Sequence, residues 1–464
     1  MSEAGDSVAS VISGTGRDDA IAAPPASPPV AVRAVFSSWW PLAASWLLMG
    51  LELPAVSAMM ARLPEPTVSL AAYGGVVFPL ALLIESPIVM LLTASTALSK
   101  DWSSYRLVRR FMLIAASSLT LLHALVAFTP LYDLVVGRML APPAAVLEPA
   151  RRGLQIMLPW TLSIAYRRFQ QGVLIRFGRS RAVGIGTAVR LATNLVVLGT
   201  GYAIGSVPGI VIGTLAVASG VVAEAVFAGW MVRPVLAREL PSRTASAEPL
   251  TLAAFLRFYV PLAMLPVFGF VAMPLATAAM SRMPLAMDSL AVWPVINGLL
   301  FTLRSTGFAL NEVVVALLER PRALPGLKRF GFGLAAVTSL LLLVTAASPI
   351  GHVWFARISA LPPPLVRLAS AGMWFAFLLP ALSALQSLYQ GVIVHSQRTR
   401  AVTESMVVYL LAVVLALLAG VVRAQWTGLY VGLAAGTLGS AAQVAWLWWR
   451  ARGTMREIES RDTG

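Results

Sequence analysis

Between residues 36 and 449 the chain returns again and again to apolar runs of about twenty residues or more. That recurrence is the strongest constraint on its fold. A run of about 20 apolar residues matches the hydrocarbon thickness of a bilayer in helical form. In lipid every backbone polar group must find an internal partner, so these runs are helices. A β-barrel would need short alternating segments. Twelve candidate spans follow, at roughly 36–61, 68–98, 108–130, 153–176, 183–205, 209–232, 256–280, 286–318, 331–350, 367–394, 401–422 and 427–449. Composition agrees: of 464 residues, 58% are hydrophobic and 12% charged, whereas soluble domains carry roughly 25% charged residues. A soluble one- or two-domain enzyme is excluded. So is a signal peptide followed by a soluble body.

The net charge of +15 would point to nucleic acid in a soluble chain. Here it follows the positive-inside pattern, and no nucleic-acid partner is expected. With the N-terminus in the cytoplasm, 23 basic residues fall in inner segments, 8 in outer loops and 4 within spans. Both termini are therefore expected in the cytoplasm, in a multi-pass protein of the cell membrane, a bacterial inner membrane being the reading taken. Residues 1–33, rich in Ala, Ser and Pro, are expected to be disordered. Pro54, Pro87, Pro159, Pro274 and Pro380 are expected to kink their spans. There is no cysteine, hence no disulfide, thiolate nucleophile or Cys-based metal site.

The chain repeats itself. At an offset of 220, Pro41-Leu42-Ala43 matches Pro261-Leu262-Ala263, and Met60-x-Arg62-x-Pro64 matches Met280-x-Arg282-x-Pro284. Pro54 matches Pro274, and Ser69-Leu70-Ala71 matches Ser289-Leu290-Ala291. At 219, Gln171-Gly172-Val173 matches Gln390-Gly391-Val392, and Gly209-x-x-x-Gly213 matches Gly428-x-x-x-Gly432. A single-residue slip between the blocks reconciles the offsets. Chance likeness of Leu/Ala-rich helices would not align Pro, Arg, Gln and Gly. Six spans per copy place both copies the same way across the membrane, as parallel repeats. The organisation is then a tail (1–33), a first bundle (34–233), a cytoplasmic linker (234–254), a second bundle (255–450) and a tail (451–464). Two such bundles around a central cleft can expose it to one side at a time.

The duplicated twelve-span pattern resembles the MATE exporters and the wider multidrug/oligosaccharidyl-lipid/polysaccharide (MOP) flippase superfamily. Pro41-Leu-Ala through Met59-Met60-Ala61-Arg62, Leu70-Ala71-Ala72-Tyr73-Gly74, and the stretch Gln171 to Arg181 carry the likeness. Trp39-Trp40-Pro41-Leu42-Ala43, Leu70-Ala71-Ala72-Tyr73-Gly74 and Trp293-Pro294-Val295 resemble the progressive ankylosis (ANK) type most. The resemblance implies a V-shaped pair of bundles that exports a substrate. In MATE members this is coupled to Na⁺ or H⁺. Flippase members move lipid-linked sugars, and ANK-type members are linked to pyrophosphate, nucleotides or organic anions. Many MATE proteins carry a cation-site Asp in the first span, where this chain has Ser57. The nearest carboxylate is Glu52.

Charges within spans are costly and mark pathways or pairs. Glu52 is the first choice for a protonatable coupling residue, the alternative being a carboxyl paired with an Arg. Glu85 and Glu312 are further coupling candidates. Arg304, Asn311 and Glu312 share a helix face that lines a cleft or forms an ion pair, with Glu85 for example; Asn297 lies nearer that helix's start. Arg190 and Asn194 are i and i+4, placed for a cleft or for hydrogen bonds between helices. Gln171 and Arg168 complete the cleft candidates; the alternative for Arg167 and Arg168 is snorkelling to a headgroup layer. Glu224 reads as structural. His123, His352 and His395 are isolated, so no metal or other cofactor is expected. There is no GxxxxGK[ST] loop and no GxSxG elbow. A monomeric exporter of a small anionic or amphipathic solute is expected, with a lipid-linked polyanion flippase as the rival and a lipid-acting membrane enzyme as a lesser one.

Overall fold

The structure, a computed structural model, describes residues 30–240, 249–396, 398 and 400–463. Of the tail expected to be disordered over 1–33, residues 1–29 lie outside the described residues, and Val32 and Arg33 already belong to the first helix; of the linker, 241–248 lie outside them. Helices dominate, and no strand occurs among the described residues. Among the described residues nine helices are long and apolar enough to cross a membrane: α1 (Val32–Met60), α2 (Pro66–Leu98), α3 (Trp102–Phe128), α5 (Ser180–Ile204), α6 (Gly209–Glu239), α7 (Leu252–Met280), α8 (Ala286–Leu317), α9 (Leu324–Ala347) and α11 (Arg400–Arg423). The other three expected spans contain α4 (Leu158–Arg176), α10 (Leu379–His395) and α12 (Gly428–Thr463). α4 carries Arg167, Arg168 and Arg176, α10 has 17 residues, and α12 is diluted by Gly and polar residues.

Several expectations shift in detail. Pro159 and Pro380 start α4 and α10 rather than kinking them. Each follows a separate short helix, Ala144–Ile156 or Pro363–Met373. Proline suits a first helical turn because its missing N–H would be unpaired there anyway. The stretch after Arg450 continues α12 as helix to Thr463. Lys328 to Glu459 (2.6 Å) and Arg398 to Glu457 (3.3 Å) hold this extension against the rest of the chain.

The duplication is written into the backbone. Non-glycine residues with left-handed φ recur in pairs: Glu65 with Leu285, and Ala141 with Ala360; Gly205 corresponds to Ala424. Gly209 N–H donates to the Pro64 carbonyl and Gly428 N–H to Pro284, both at 3.2 Å. The offset of 220 still holds at Gly74 and Pro294, which touch one another, so the pseudo-twofold axis passes between them. By Leu92 and Asn311 it is 219: their carbonyls are approached by the equivalent Gly172 and Gly391. The slip therefore falls within α2, where a π turn over Ala71–Val77 accommodates one extra residue.

The halves are interlocked. The first part of α1 packs on α8 and α9 of the other half, with Trp39 Nε1 donating to the Thr306 carbonyl (2.8 Å) and Thr302 Oγ1 to the Gly50 carbonyl (3.0 Å). Reciprocally, α7 leans on α2 and α3: Tyr259 donates to the Pro87 carbonyl (2.6 Å), and Phe255 and Tyr259 pack on Phe111. At the face bearing the α1–α2 and α7–α8 turns, two arginines reach across. Arg62 bonds its own Ala58 carbonyl (2.6 Å) and the opposite half's Arg357 carbonyl (2.7 Å). Its equivalent Arg282 bonds Ala278 (2.6 Å) and the opposite Arg138 and Met139 carbonyls (3.2 and 3.0 Å). Arg357 and Arg138 are themselves equivalents. Both acceptor sets close short π turns, Trp354–Ile358 and Asp133–Leu140, whose C-terminal carbonyls favour a cation.

Candidate functional site

α1 breaks at Leu51, so Glu52 opens its second segment. There the Glu52 carboxylate meets α5, accepting from Arg190 (2.8 Å) and Asn194 Nδ2 (2.6 Å). Arg190 and Asn194 lie one turn apart on the buried face of α5. On α6, Glu224 is fully buried. It accepts from Arg167 (2.6 Å) and Gln171 Nε2 (2.9 Å) of α4, with Arg190 at 3.7 Å. Arg190 thus bridges two carboxylates, joining α1, α5, α6 and α4 in one network. Burial of charge at this depth is tolerated because each carboxylate is paired and hydrogen-bonded.

Two glycines make the room. Gly186 lies one turn before Arg190, with the Glu224 side chain in contact distance of where its Cβ would be. Gly220 lies one turn before Glu224, and a Cβ there would strike Asn194 Oδ1 and the Arg190 carbonyl. We expect Gly220→Ala to push Asn194 off Glu52 and to cost about 1–3 kcal/mol, read as a lower unfolding midpoint in detergent; an unchanged midpoint would show that α5 and α6 yield freely.

Glu85 is also buried, and its carboxylate accepts from the Trp160 indole. It does not pair with Arg304, the partner suggested by residue types alone. Arg168 is half-buried, within electrostatic reach of Glu85 and Arg167, and its Nε is buried without a hydrogen-bond partner. The first half therefore holds three carboxylates (Glu52, Glu85, Glu224) against three guanidinium groups (Arg167, Arg168, Arg190). The equivalent places in the second half are Ala272, Arg304, Gln443, Gln386, Ser387 and Tyr409. The network was not copied, or not kept, and the position of Glu85 has changed sign.

The remaining candidates sit apart from it, in the second half. Arg304 is half-buried on α8 with its Nε unpartnered. Asn311 Oδ1 is likewise buried without a partner. Glu312 is exposed and makes no ion pair among the described residues. Asn297 turns back to its own helix, donating to the Trp293 carbonyl (2.9 Å). The structure thus brings Glu52, Arg190, Asn194 and Gln171 together, with Glu85 and Arg168 nearby, and leaves Arg304, Asn311, Glu312 and Asn297 outside. Arg167 and Glu224, which residue-type reasoning put down to snorkelling or structure, are central to it. Their signal in the sequence was the pair of glycines one turn from their partners.

No protein-family model matches the chain, and no curated relative does. Solved structures match along most of its length. It is similar to the lipid II flippase MurJ in an inward closed conformation (TM-score 0.67, 12% identity, 91% of this chain and 90% of that one). It is similar to an inward-facing multidrug resistance MATE transporter of the MOP superfamily (TM-score 0.63, 14% identity, 89% and 99%). It is similar too to a MOP superfamily transporter from Pyrococcus furiosus, described as having a binding pocket of reverse polarity (TM-score 0.59, 14% identity, 93% and 97%). These neighbours are transporters and a flippase, not enzymes. The chain shares their polytopic all-α fold of repeated helical bundles.

Proposed function

We propose that the chain is a secondary transporter that exports a small organic solute across the cell membrane by alternating access. The observation that carries this is the pair of equivalent bundles, interlocked across a pseudo-twofold axis and joined at one face by reciprocal arginines. Two like halves with breakable contacts at one end form a two-state element of the kind that rocking requires. The bundles run over 34–233 and 255–450, joined by a linker at 234–254, with both termini cytoplasmic and the arginine-joined face outside. The protein acts as a monomer, with the solute, membrane lipid and a coupling H⁺ or Na⁺ as its partners. Arg168, Arg190, Asn194 and Gln171 line the solute path of the first half, and Arg304, Asn311 and Asn297 that of the second. Glu85 and Glu312 are secondary coupling candidates. The finer likeness to the ANK type rests on the sequence stretches alone, and with it an anionic cargo.

Glu52 is the proposed coupling residue. It sits at the break of α1, the helix that leaves its own bundle for the other half, so a proton on Glu52 would release Arg190 and free the break. Transport in proteoliposomes tests this against a panel of anions, cations and lipid-linked sugars, with and without pH and Na⁺ gradients. Glu52→Gln is expected to abolish the gradient dependence while leaving downhill flux. Undiminished gradient dependence in the folded variant removes Glu52 from the role. The likeness to MurJ supports a second reading, a flippase for a lipid-linked polyanion. Movement of a lipid-linked sugar and of no soluble solute in the same panel would select it.

A further inference from the structure

Four arginines lie within the spans: Arg167 and Arg190 pair with Glu224 and Glu52, and Arg168 has Glu85 within electrostatic reach. Arg304 is the one left over. It stands where the other half has Glu85, and no acidic side chain pairs with it among the described residues. The nearest carboxylate on its helix, Glu312, is two turns away and exposed. A cation withdrawn from water without a counter-charge is costly and leaves its donors unmet.

What surrounds it is aromatic. The Arg304 guanidinium carbon lies 5.8 Å from the centre of the Phe308 ring. Phe308 in turn meets Trp46 edge-on at 5.7 Å and Phe301 at 6.0 Å. Tyr409, the equivalent of Arg190, is within electrostatic reach of Arg304 from α11. Asn311 offers a buried, unpartnered carbonyl oxygen two turns along α8. Trp46 comes from the first segment of α1, which packs on α8 and α9 of the second half, so the first half contributes a residue to a site held in the second half's core.

We propose that Arg304, Phe308 and Trp46 form a binding site for an aromatic organic anion, a carboxylate or sulfonate carried on a ring. The guanidinium takes the anionic head in a charged fork of hydrogen bonds, and Phe308 and Trp46 take the ring. The proposal rests on the transporter reading and names the substrate class.

Binding tests it separately from transport. Radiolabelled 2-naphthoate would be measured by equilibrium dialysis against the full chain in nanodiscs, with empty nanodiscs correcting for lipid partition and acetate and 2-naphthylmethylammonium as comparators. Saturable naphthoate binding is expected, with the amine and acetate each at least about ten-fold weaker, the scale of a charged hydrogen bond or a buried ring. Arg304→Gln should weaken naphthoate about ten-fold or more, and Arg304→Lys less, since it keeps the charge but loses the fork. Phe308→Leu keeps the charge and should weaken naphthoate while leaving acetate unchanged. Should Arg304→Gln fail to fold, Arg304→Lys and Phe308→Leu decide. Naphthoate affinity equal across wild type and variants, no saturable binding, or equal affinity for the amine would each overturn the site. Intact Arg304-dependent binding with no solute uptake in proteoliposomes would keep the site and sink the transporter reading instead.

Discussion

Replacing Glu224 by Leu is expected to lower stability by about 3–5 kcal/mol, the scale of removing one partner of a buried ion pair. Glu224 is fully buried and accepts from both Arg167 and Gln171, with Arg190 at 3.7 Å. Without it, Arg167 keeps its charge in the bundle with no carboxylate in bonding range. The double variant Arg167→Met/Glu224→Leu removes both charges and is expected to regain most of the loss. Unfolding midpoints of wild type, both single variants and the double in one detergent close the cycle. A Glu224→Leu midpoint equal to wild type, or a double variant as weak as the sum of the singles, would mean the pair is not coupled.

The second large effect concerns the face joined by Arg62 and Arg282. Each arginine is exposed, so water and salt screen its bonds and each contributes modestly. Two acting together still bias a balanced equilibrium: losing both is expected to raise the population open at this face about ten-fold. The absence of native cysteine leaves a clean background for spin labels. Cysteines at Ala145 and Pro364, exposed positions on the two short helices before α4 and α10, report the separation of the halves. The wild type should show mainly the short distance and Arg62→Ala/Arg282→Ala a grown long one, with each single variant between. Unmoved distance distributions in the folded double variant would show that the arginines merely decorate a face held shut by packing.

Much of this fold was legible from residues alone, because lipid leaves the backbone few choices. Apolar runs had to be helices, and matched Pro, Arg and Gly residues exposed the duplication. Even the one-residue slip was visible as a change of offset. Its place was not, since a π turn such as Ala71–Val77 costs no recognisable residue type. The pairings were harder still. Glu52 and Arg190 are 138 positions apart, and their meeting depends on how α1 crosses α5, which small residues such as Gly186 and Gly220 decide. Glu85 found an indole rather than Arg304, because α4 brings Trp160 to it first. Arg62 and Arg282 were visible only as loop charges at matching places; that each grips the opposite copy is a property of two halves folded together.

The three-against-three balance of the first half has an electrical consequence. While Glu52 keeps its charge, a bundle whose buried charges cancel moves no net charge when it tilts; a proton on Glu52 would leave one positive charge in excess. In the second half Arg304 is the charge withdrawn from water, Glu312 being exposed two turns along α8, and a transmembrane voltage acts on an unmatched charge with about 2.3 kcal/mol per 100 mV across the full thickness. Loaded with a monoanion, the second half becomes electrically silent; empty, it must return with its positive charge exposed to the field. Through Arg304, membrane potential would then act on the empty return step and not on the loaded one.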